Sequence, residues 1–141
     1  MAALPEIDPT SALQFIVNAA AGSSDAKAKR EIVEAALRAA GRRGDLLFCS
    51  PAELSFVSHQ AAARAVATRT AVVAVGGDGT LNTVAQAAHA AGCAMGVVPQ
   101  GTFNYFARTH GIPVDPTEAV RLLLRSAPVP VQVAGVNDRV F

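Results

Sequence analysis

A glycine-rich segment directly follows a run of small apolar residues near the middle of the chain. It reads GGDGT, from Gly76 to Thr80, and continues with Leu81 and Asn82. Glycine lets the backbone turn tightly and approach a ligand closely. Its amides at the start of a helix form a concave anion site that the helix dipole favours. The candidate phosphate-binding residues of this loop are Gly76, Gly77, Asp78, Gly79, Thr80 and Asn82.

Asp78 is the unusual member of this loop, because a carboxylate repels a phosphate unless a cation or a proton lies between them. Its residue type predicts a Mg²⁺ ligand or a general base, and the alternative is an acid that only begins the next helix. Thr80 can cap that helix or give its hydroxyl to a phosphate. A Walker A loop needs a lysine, and none occurs after Lys29. A G-x-G-x-x-G dinucleotide loop needs glycine where Asn82 stands.

A second glycine loop follows the next apolar run, with the sequence QGTFNYFAR over 100–108. Gly101 permits the turn, and Thr102 and Asn104 offer uncharged hydrogen-bonding groups. Arg108 suits a phosphate contact, an ion pair or a solvated helix position. These residues predict a second set of ligand contacts beside the first.

Two weaker candidate loops follow the first two predicted strands. One is the segment NAAAG from Asn18 to Gly22, and the other begins at Ser50. In an open α/β sheet, ligands bind beyond the carboxyl ends of the strands. Asn18, Gly22 and Ser50 are therefore site residues only if the fold brings their loops beside the glycine loops.

Alternating apolar runs and helical patterns must position these loops. Apolar runs predict strands over 13–17, 46–49, 71–75 and 95–98. Helical spacing predicts helices over 25–40, 55–68, 80–91, 102–110 and 116–126. Four alternations favour an α/β fold, an open and mostly parallel sheet with helices on both faces.

The same patterns predict which helix faces are buried. The predicted apolar face of the first helix is Ile32, Val33, Ala36, Leu37 and Ala40, and Gly41 and Gly44 are predicted to close that helix. The predicted apolar positions of the second helix include Phe56, Ala63 and Val66. Asp115 is a plausible cap of the last helix.

Composition limits the classes of function. The chain has 141 residues, 51% of them hydrophobic, and a net charge of +1. It lacks tryptophan and has one tyrosine, so neither a basic field nor an aromatic platform indicates nucleic acid. Two distant cysteines form no zinc or redox motif. No apolar run is long enough for a membrane span, and the N-terminus lacks the pattern of a signal peptide. We therefore expect a cytoplasmic protein.

The ends of the chain differ from its middle. Residues 1–12 are interpreted as a short leader, and 13–128 as an α/β nucleotide-binding domain. Residues 129–141 alternate apolar and polar positions around Asn137 and Asp138, which predicts the start of a β-hairpin. We expect this stretch to begin a truncated β-rich domain, whose unfinished hairpin is suited to edge pairing in a homodimer.

The pair of glycine motifs resembles the catalytic domain of the diacylglycerol kinase and sphingosine kinase family of lipid kinases. GGDGTLN is followed at the family's spacing by P-x-GTxN-x-FAR, and the likeness extends from about Leu13 to Phe141. NAD kinases and phosphofructokinases have a similar first loop and imply a related fold, but the second motif distinguishes the lipid kinases.

The resemblance implies ATP-dependent phosphorylation of a lipid hydroxyl at a membrane surface. In this reading 76–82 binds the ATP phosphates, and Thr102 and 18–22 help to hold the nucleotide. Ser50 stands where relatives usually have a nucleotide-contacting threonine. Asp78 acts in the Mg²⁺ and phosphate network, or as the base. Because the relatives' later domain supplies the catalytic carboxylate, we expect little or no turnover from this chain alone.

Two positions depart from the family pattern. Relatives typically have Asn-Pro-x-Ser/Gly-Gly in the first loop, where this chain has NAAAG from Asn18. The second motif usually continues with Asp, where this chain has Tyr105, and a phenol supplies no carboxylate for a metal at neutral pH. The resemblance is therefore compatible with three functions: a lipid kinase, a soluble-substrate kinase of the NAD-kinase type, or a non-catalytic nucleotide sensor. The basic first helix is either a solvated face or a docking face for anionic lipid.

Overall fold

Four parallel strands form the sheet at the centre of the structure, which is a computed structural model. It describes residues 6–19, 22–100 and 104–125, and the backbone of 135–136 and 139–140. The strands are β1 (Leu13–Asn18), β2 (Gly44–Cys49), β3 (Val72–Gly76) and β4 (Met95–Pro99), in the order β2-β1-β3-β4. All three neighbouring pairs are parallel. The open parallel α/β sheet predicted from the sequence is confirmed.

Helices cover both faces of this sheet. They are α1 (Ser24–Ala40), α2 (Leu54–Ala67), α3 (Asp78–Ala91), α4 (Tyr105–Thr109) and α5 (Pro116–Arg125). On one face, Val73 and Val75 of β3 share a core with residues of α1 and α5. On the other, Val72 and Ala74 share a core with residues of α2 and α3. The central strand β3 is therefore buried on both sides, as its unbroken apolar sequence predicts.

The buried face of α2 differs from the predicted one. Phe56 and Val66 are 67% and 47% exposed, and Ala63 is also exposed. The buried residues of α2 are Leu54, Ser58, Ala61, Ala62 and Ala65. The prediction was wrong because α2 packs through its alanines, whose small side chains let a helix lie close to its neighbours, while its largest apolar side chain faces outward.

Several element boundaries also differ. Gly44 opens β2 rather than closing α1, because a Cβ there would lie 2.8 Å from both the Phe15 ring and the Leu37 side chain. Ala40 is exposed at the end of α1, which ends at Gly41 in a left-handed conformation as predicted. The third helix begins two residues earlier than predicted, at Asp78, and the fourth begins at Tyr105.

The two ends of the chain bear on the predicted domain boundaries without testing them. Residues 6–12 lie against the domain, since the Asp8 amide donates to the Arg69 carbonyl over 2.7 Å. Strands β5 (Gly135–Val136) and β6 (Arg139–Val140) pair antiparallel where the sequence predicts a hairpin. The predicted turn at 137–138 and most of the preceding run lie outside the described residues. Asp115 caps α5 as predicted, accepting a bond from the Glu118 amide over 3.0 Å.

In the described part of the chain, no helix has the length and apolar character needed to cross a bilayer. The longest of them, α1, has 17 residues and a charged outer face.

Both cysteines are free thiols. Burial raises the pKa of the Cys49 thiol, with the Glu53 carboxylate acting in the same direction, and burial also raises the pKa of Cys93. A raised pKa leaves less thiolate at neutral pH. We expect both thiols to react with iodoacetamide more slowly than free cysteine at pH 7, faster as the pH rises, and Cys49 to react last because it is buried. Mass spectrometry of a labelling time course measures this, with Cys93→Ser isolating the Cys49 signal. Labelling of Cys49 at the rate of free cysteine contradicts the expectation.

Candidate active site

The carboxyl ends of the four parallel strands lie at one edge of the sheet. The register aligns Asn18 with Cys49, Val17 with Val75 and Gly76 with Pro99. The chain leaves β1 toward β2 on one side, while β3 and β4 lie on the other. The boundary between β1 and β3 is therefore the topological switch point, which is where open α/β sheets bind ligands.

Asn18 and Thr80 join the first strand to the third helix at this point. The Asn18 Nδ2 donates to the Thr80 Oγ1 over 3.0 Å. Thr80 is buried, and a Cβ on Gly76 would lie 2.8 Å from both its Cβ and its Oγ1. Gly76 is thus required by the threonine that packs on it. The N-cap of α3 is Gly77, so the capping role considered for Thr80 was wrong.

The start of α3 presents its first amides to the switch point. The first bond of the helix runs from the Leu81 amide to the Gly77 carbonyl over 3.0 Å, so the amides of residues 78–80 have no acceptor within the helix. Gly79 is exposed, and no atom lies within 4 Å of the position its Cβ would take. This combination of outward amides, a helix dipole and open space suits a phosphate oxygen.

The Asp78 carboxylate connects the two glycine loops. Its Oδ2 accepts a bond from the Tyr105 amide over 3.1 Å, and its Oδ1 accepts one from the Phe106 amide over 3.2 Å. It therefore caps α4, whose own N-cap, Asn104, has a φ of 53° and makes no side-chain cap bond. The sequence reasoning missed this role, because nothing in the local spacing pairs residues 27 positions apart.

The remaining predicted site residues lie around this pair of loops. The Gln100 amide donates to the Gly76 carbonyl over 2.8 Å, which extends the β3–β4 pairing into the second loop. Asn104 is buried at the start of α4, and Asn82 is partly buried in α3. Gly101 and Thr102 lie outside the described residues.

Ser50 and Gly22 follow the strands farther along the same edge. The Ser50 hydroxyl donates to Glu53 Oε1 over 2.8 Å and its amide donates to the same oxygen over 3.1 Å. These two bonds lower the pKa of Glu53, with the amide bond as the larger cause. Gly22 is exposed with a φ of 83°, a conformation that favours glycine.

Three comparisons with known proteins agree on the family. The model of the diacylglycerol kinase catalytic domain matches residues 12–136. The chain belongs to the diacylglycerol kinase catalytic-domain family.

Relatives in this family are bacterial proteins that are longer than this chain. The "Probable lipid kinase YegS-like" of Klebsiella pneumoniae (strain 342) is 46% identical over 70 residues, which is 48% of this chain and 24% of that protein. The protein of the same name from Pseudomonas aeruginosa (strain UCBPP-PA14) is 44% identical over 72 residues, 50% of this chain and 24% of that protein.

The fold is shared with a solved member of the family. A crystal structure of a diacylglycerol kinase from Bacillus anthracis str. Sterne superposes with a TM-score of 0.76 and 25% identity, over 92% of this chain and 45% of that one. The chain thus spans less than half of that structure, and its match spans about a quarter of the curated relatives.

Kinases of this family imply ATP and a divalent metal, and the described residues fit them in part. Among the described residues no three His, Cys, Asp or Glu side chains cluster as a metal site. Mg²⁺ in kinases needs only one or two carboxylates, because phosphate oxygens and water complete its coordination. Asp78 offers one carboxylate, and each of its oxygens retains a lone pair beyond the amide bond it accepts. Tyr105, 64% exposed, adds no second carboxylate.

Other ionisable residues lie away from these contacts. Arg108 is exposed near the end of α4, and His59 and His89 are exposed on α2 and α3. His110 is exposed and its ring lies 4.3 Å from that of Phe106. The histidines therefore occupy the surface positions that the sequence predicts for them.

Proposed function

We propose that this chain is the ATP-binding part of a lipid kinase that transfers the γ-phosphate of ATP to a lipid hydroxyl. Family membership supports the kinase class. The observation that carries the proposal is the Asp78 carboxylate, which joins the glycine loop after β3 to the loop after β4 at the switch point of the sheet. Two loops held together in this way form one surface, on which a polyphosphate can contact both.

The mechanism that these residues support is positioning with electrostatic stabilisation. The amides at the start of α3 bind phosphate oxygens, and Gly79 leaves them accessible. Asn18 and Thr80 hold β1 against α3 and so fix the distance between the first and third loops. Asp78 would hold Mg²⁺, which when bound neutralises charge on the phosphates. Its two amide bonds fix the carboxylate in place before the nucleotide arrives.

The lipid nature of the acceptor rests on likeness to the named relatives. Because the chain covers 24% of those relatives, we propose that further residues of the complete gene product complete the acceptor site and that the chain alone transfers little or no phosphate. We also propose a cytoplasmic protein that meets its diacylglycerol-like or sphingoid substrate at the membrane surface, without nucleic acid as a partner. Pairing of two copies through the hairpin edge stays a prediction.

A second candidate function is a nucleotide sensor without phosphoryl transfer. It is favoured by Tyr105, which stands where the family pattern has a carboxylate, and by the alanines between Asn18 and Gly22. Both departures weaken metal handling and leave nucleotide binding to the amides of α3. The two functions differ in turnover and agree on nucleotide binding.

The test compares acceptors in the complete gene product. Transfer of labelled γ-phosphate is measured to diacylglycerol and sphingosine in mixed micelles and, in parallel, to NAD, and calorimetry measures Mg-ATP binding. We expect a labelled lipid and no labelled NAD. Labelled NAD overturns the lipid proposal. Binding without transfer to any acceptor supports the sensor, and recovery of transfer in Tyr105→Asp then identifies the missing carboxylate as the cause.

A further inference from the structure

A lysine of α1 is buried beneath the carboxyl end of β1. The side chain of Lys29 is 11% exposed, whereas Lys27, two residues earlier on the same helix, is exposed. Burying an ammonium is costly unless the charge is paired and hydrogen-bonded. A lysine in this position is therefore held there by specific partners, and the sequence reasoning, which placed it on a solvated basic face, was wrong for this residue.

Two oxygens bind the Lys29 ammonium. Its Nζ lies 3.0 Å from Asp25 Oδ2 and donates to the carbonyl of Asn18 over 3.3 Å. Asp25 lies one turn earlier on α1, and its own side chain is 63% exposed. Asp25 is thus a partly solvated counter-ion, while the Asn18 carbonyl is a fixed acceptor in the last residue of β1.

Through Asn18 this contact reaches the candidate active site. The Asn18 side chain donates to the Thr80 hydroxyl, and Thr80 packs on Gly76 at the end of β3. A continuous set of contacts therefore runs from α1 through β1 to the start of α3, with the ammonium at its end. The described residues of the first loop that flank this contact carry little to anchor them, since Ala19 ends in a methyl group and Gly22 has no side chain.

We propose that Lys29 is a positioning residue for the nucleotide. Its ammonium anchors the main chain at Asn18, where relatives typically have a proline to stiffen the following loop, and its positive charge lies below the loops that are to receive an anionic polyphosphate. This inference rests on the proposed function, because it assigns the lysine a part in nucleotide binding. A merely structural lysine would affect folding and leave the affinity of the folded protein for nucleotide unchanged.

The test measures Mg-ATP affinity and stability separately in the complete gene product. Lys29→Met keeps the apolar stem and removes the charge and the donors, and Lys27→Met removes an exposed charge from the same helix as the matched control. We expect the Kd for Mg-ATP to rise about tenfold or more in Lys29→Met, which corresponds to about 1.4 kcal/mol, and to stay near the original value in Lys27→Met. Where turnover is measured, the KM for ATP should rise while kcat changes little.

Two further variants keep the proposal open to refutation if Lys29→Met does not fold. Lys29→Arg retains a charged donor and should recover most of the affinity. Lys29→Gln retains a donor for the Asn18 carbonyl and loses the charge, so its affinity should fall measurably. Unchanged affinity in a folded Lys29→Met or Lys29→Gln protein overturns the positioning role. Absence of Mg-ATP binding in the unmodified protein instead overturns the proposed function, so the two failures are distinguishable.

Discussion

Asp78→Asn is expected to lower phosphoryl transfer by about 10²-fold or more in the complete gene product, as for loss of a charge-stabilising or proton-transferring group. The variant removes the only negative charge between the two glycine loops in the described part of the site. It keeps one side-chain oxygen that can still accept from an amide of α4. The loss should therefore appear in the rate of transfer, measured with saturating Mg-ATP and lipid, more than in the melting temperature.

Asp115→Asn is the matched control for this variant. Asp115 also caps a helix, accepting from the Glu118 amide at the start of α5, but it lies away from the carboxyl edge of the sheet. Both substitutions should cost a similar stability, about 1 kcal/mol or less, while only Asp78→Asn loses activity. Near-normal transfer by Asp78→Asn would remove Asp78 from the mechanism, and an equal loss in both variants would reduce its role to capping.

Gly79→Ala should produce a comparable loss through a different cause. The position has open space around its Cβ and lies in the first turn of α3, so alanine fits the fold and has the higher helix propensity. The added methyl group occupies space that a phosphate oxygen would use above the first amides. We expect a stable protein whose Mg-ATP affinity and transfer rate fall, with a combined loss in kcat/KM of about 10²-fold, because displacements of about 1 Å have effects of that size.

The control for Gly79→Ala is a substitution at the equivalent position of another helix. Ser55 is the second residue of α2, as Gly79 is of α3, and it is exposed. Ser55→Ala should leave both affinity and rate near their original values. Calorimetry with Mg-ATP measures the affinities, and tight binding by Gly79→Ala would show that the phosphates do not approach α3 at this point.

The sheet could be predicted from the sequence because its strands are short, continuous apolar runs between helices. The unbroken run ending at Val75 predicted a strand buried on both faces, and the structure has it at the centre. The face of α2 could not be predicted in the same way. In an alanine-rich helix each face is compatible with close packing, so the position of Phe56 depends on the neighbouring helix and not on the local pattern.

The candidate site was predictable as a set of loops but not as a set of contacts. Glycines after predicted strands indicated where a ligand could bind. The bond from Asp78 to α4 depends on β3 and β4 being neighbours, which no local pattern establishes. The burial of Lys29 likewise depends on how α1 lies over β1, although its spacing of four residues from Asp25 could have suggested a paired lysine.

The double use of the Asp78 carboxylate has a thermodynamic consequence. A cation that draws electron density from these oxygens weakens their bonds to the amides of Tyr105 and Phe106, and tight capping of that short helix in turn reduces the affinity for the cation. Linkage makes these two effects equal in free energy. The order of residues 105–109 should therefore report on occupancy of the neighbouring bend, so that backbone amide signals from this helix can serve as a spectroscopic sensor of ligand without a label on the ligand itself.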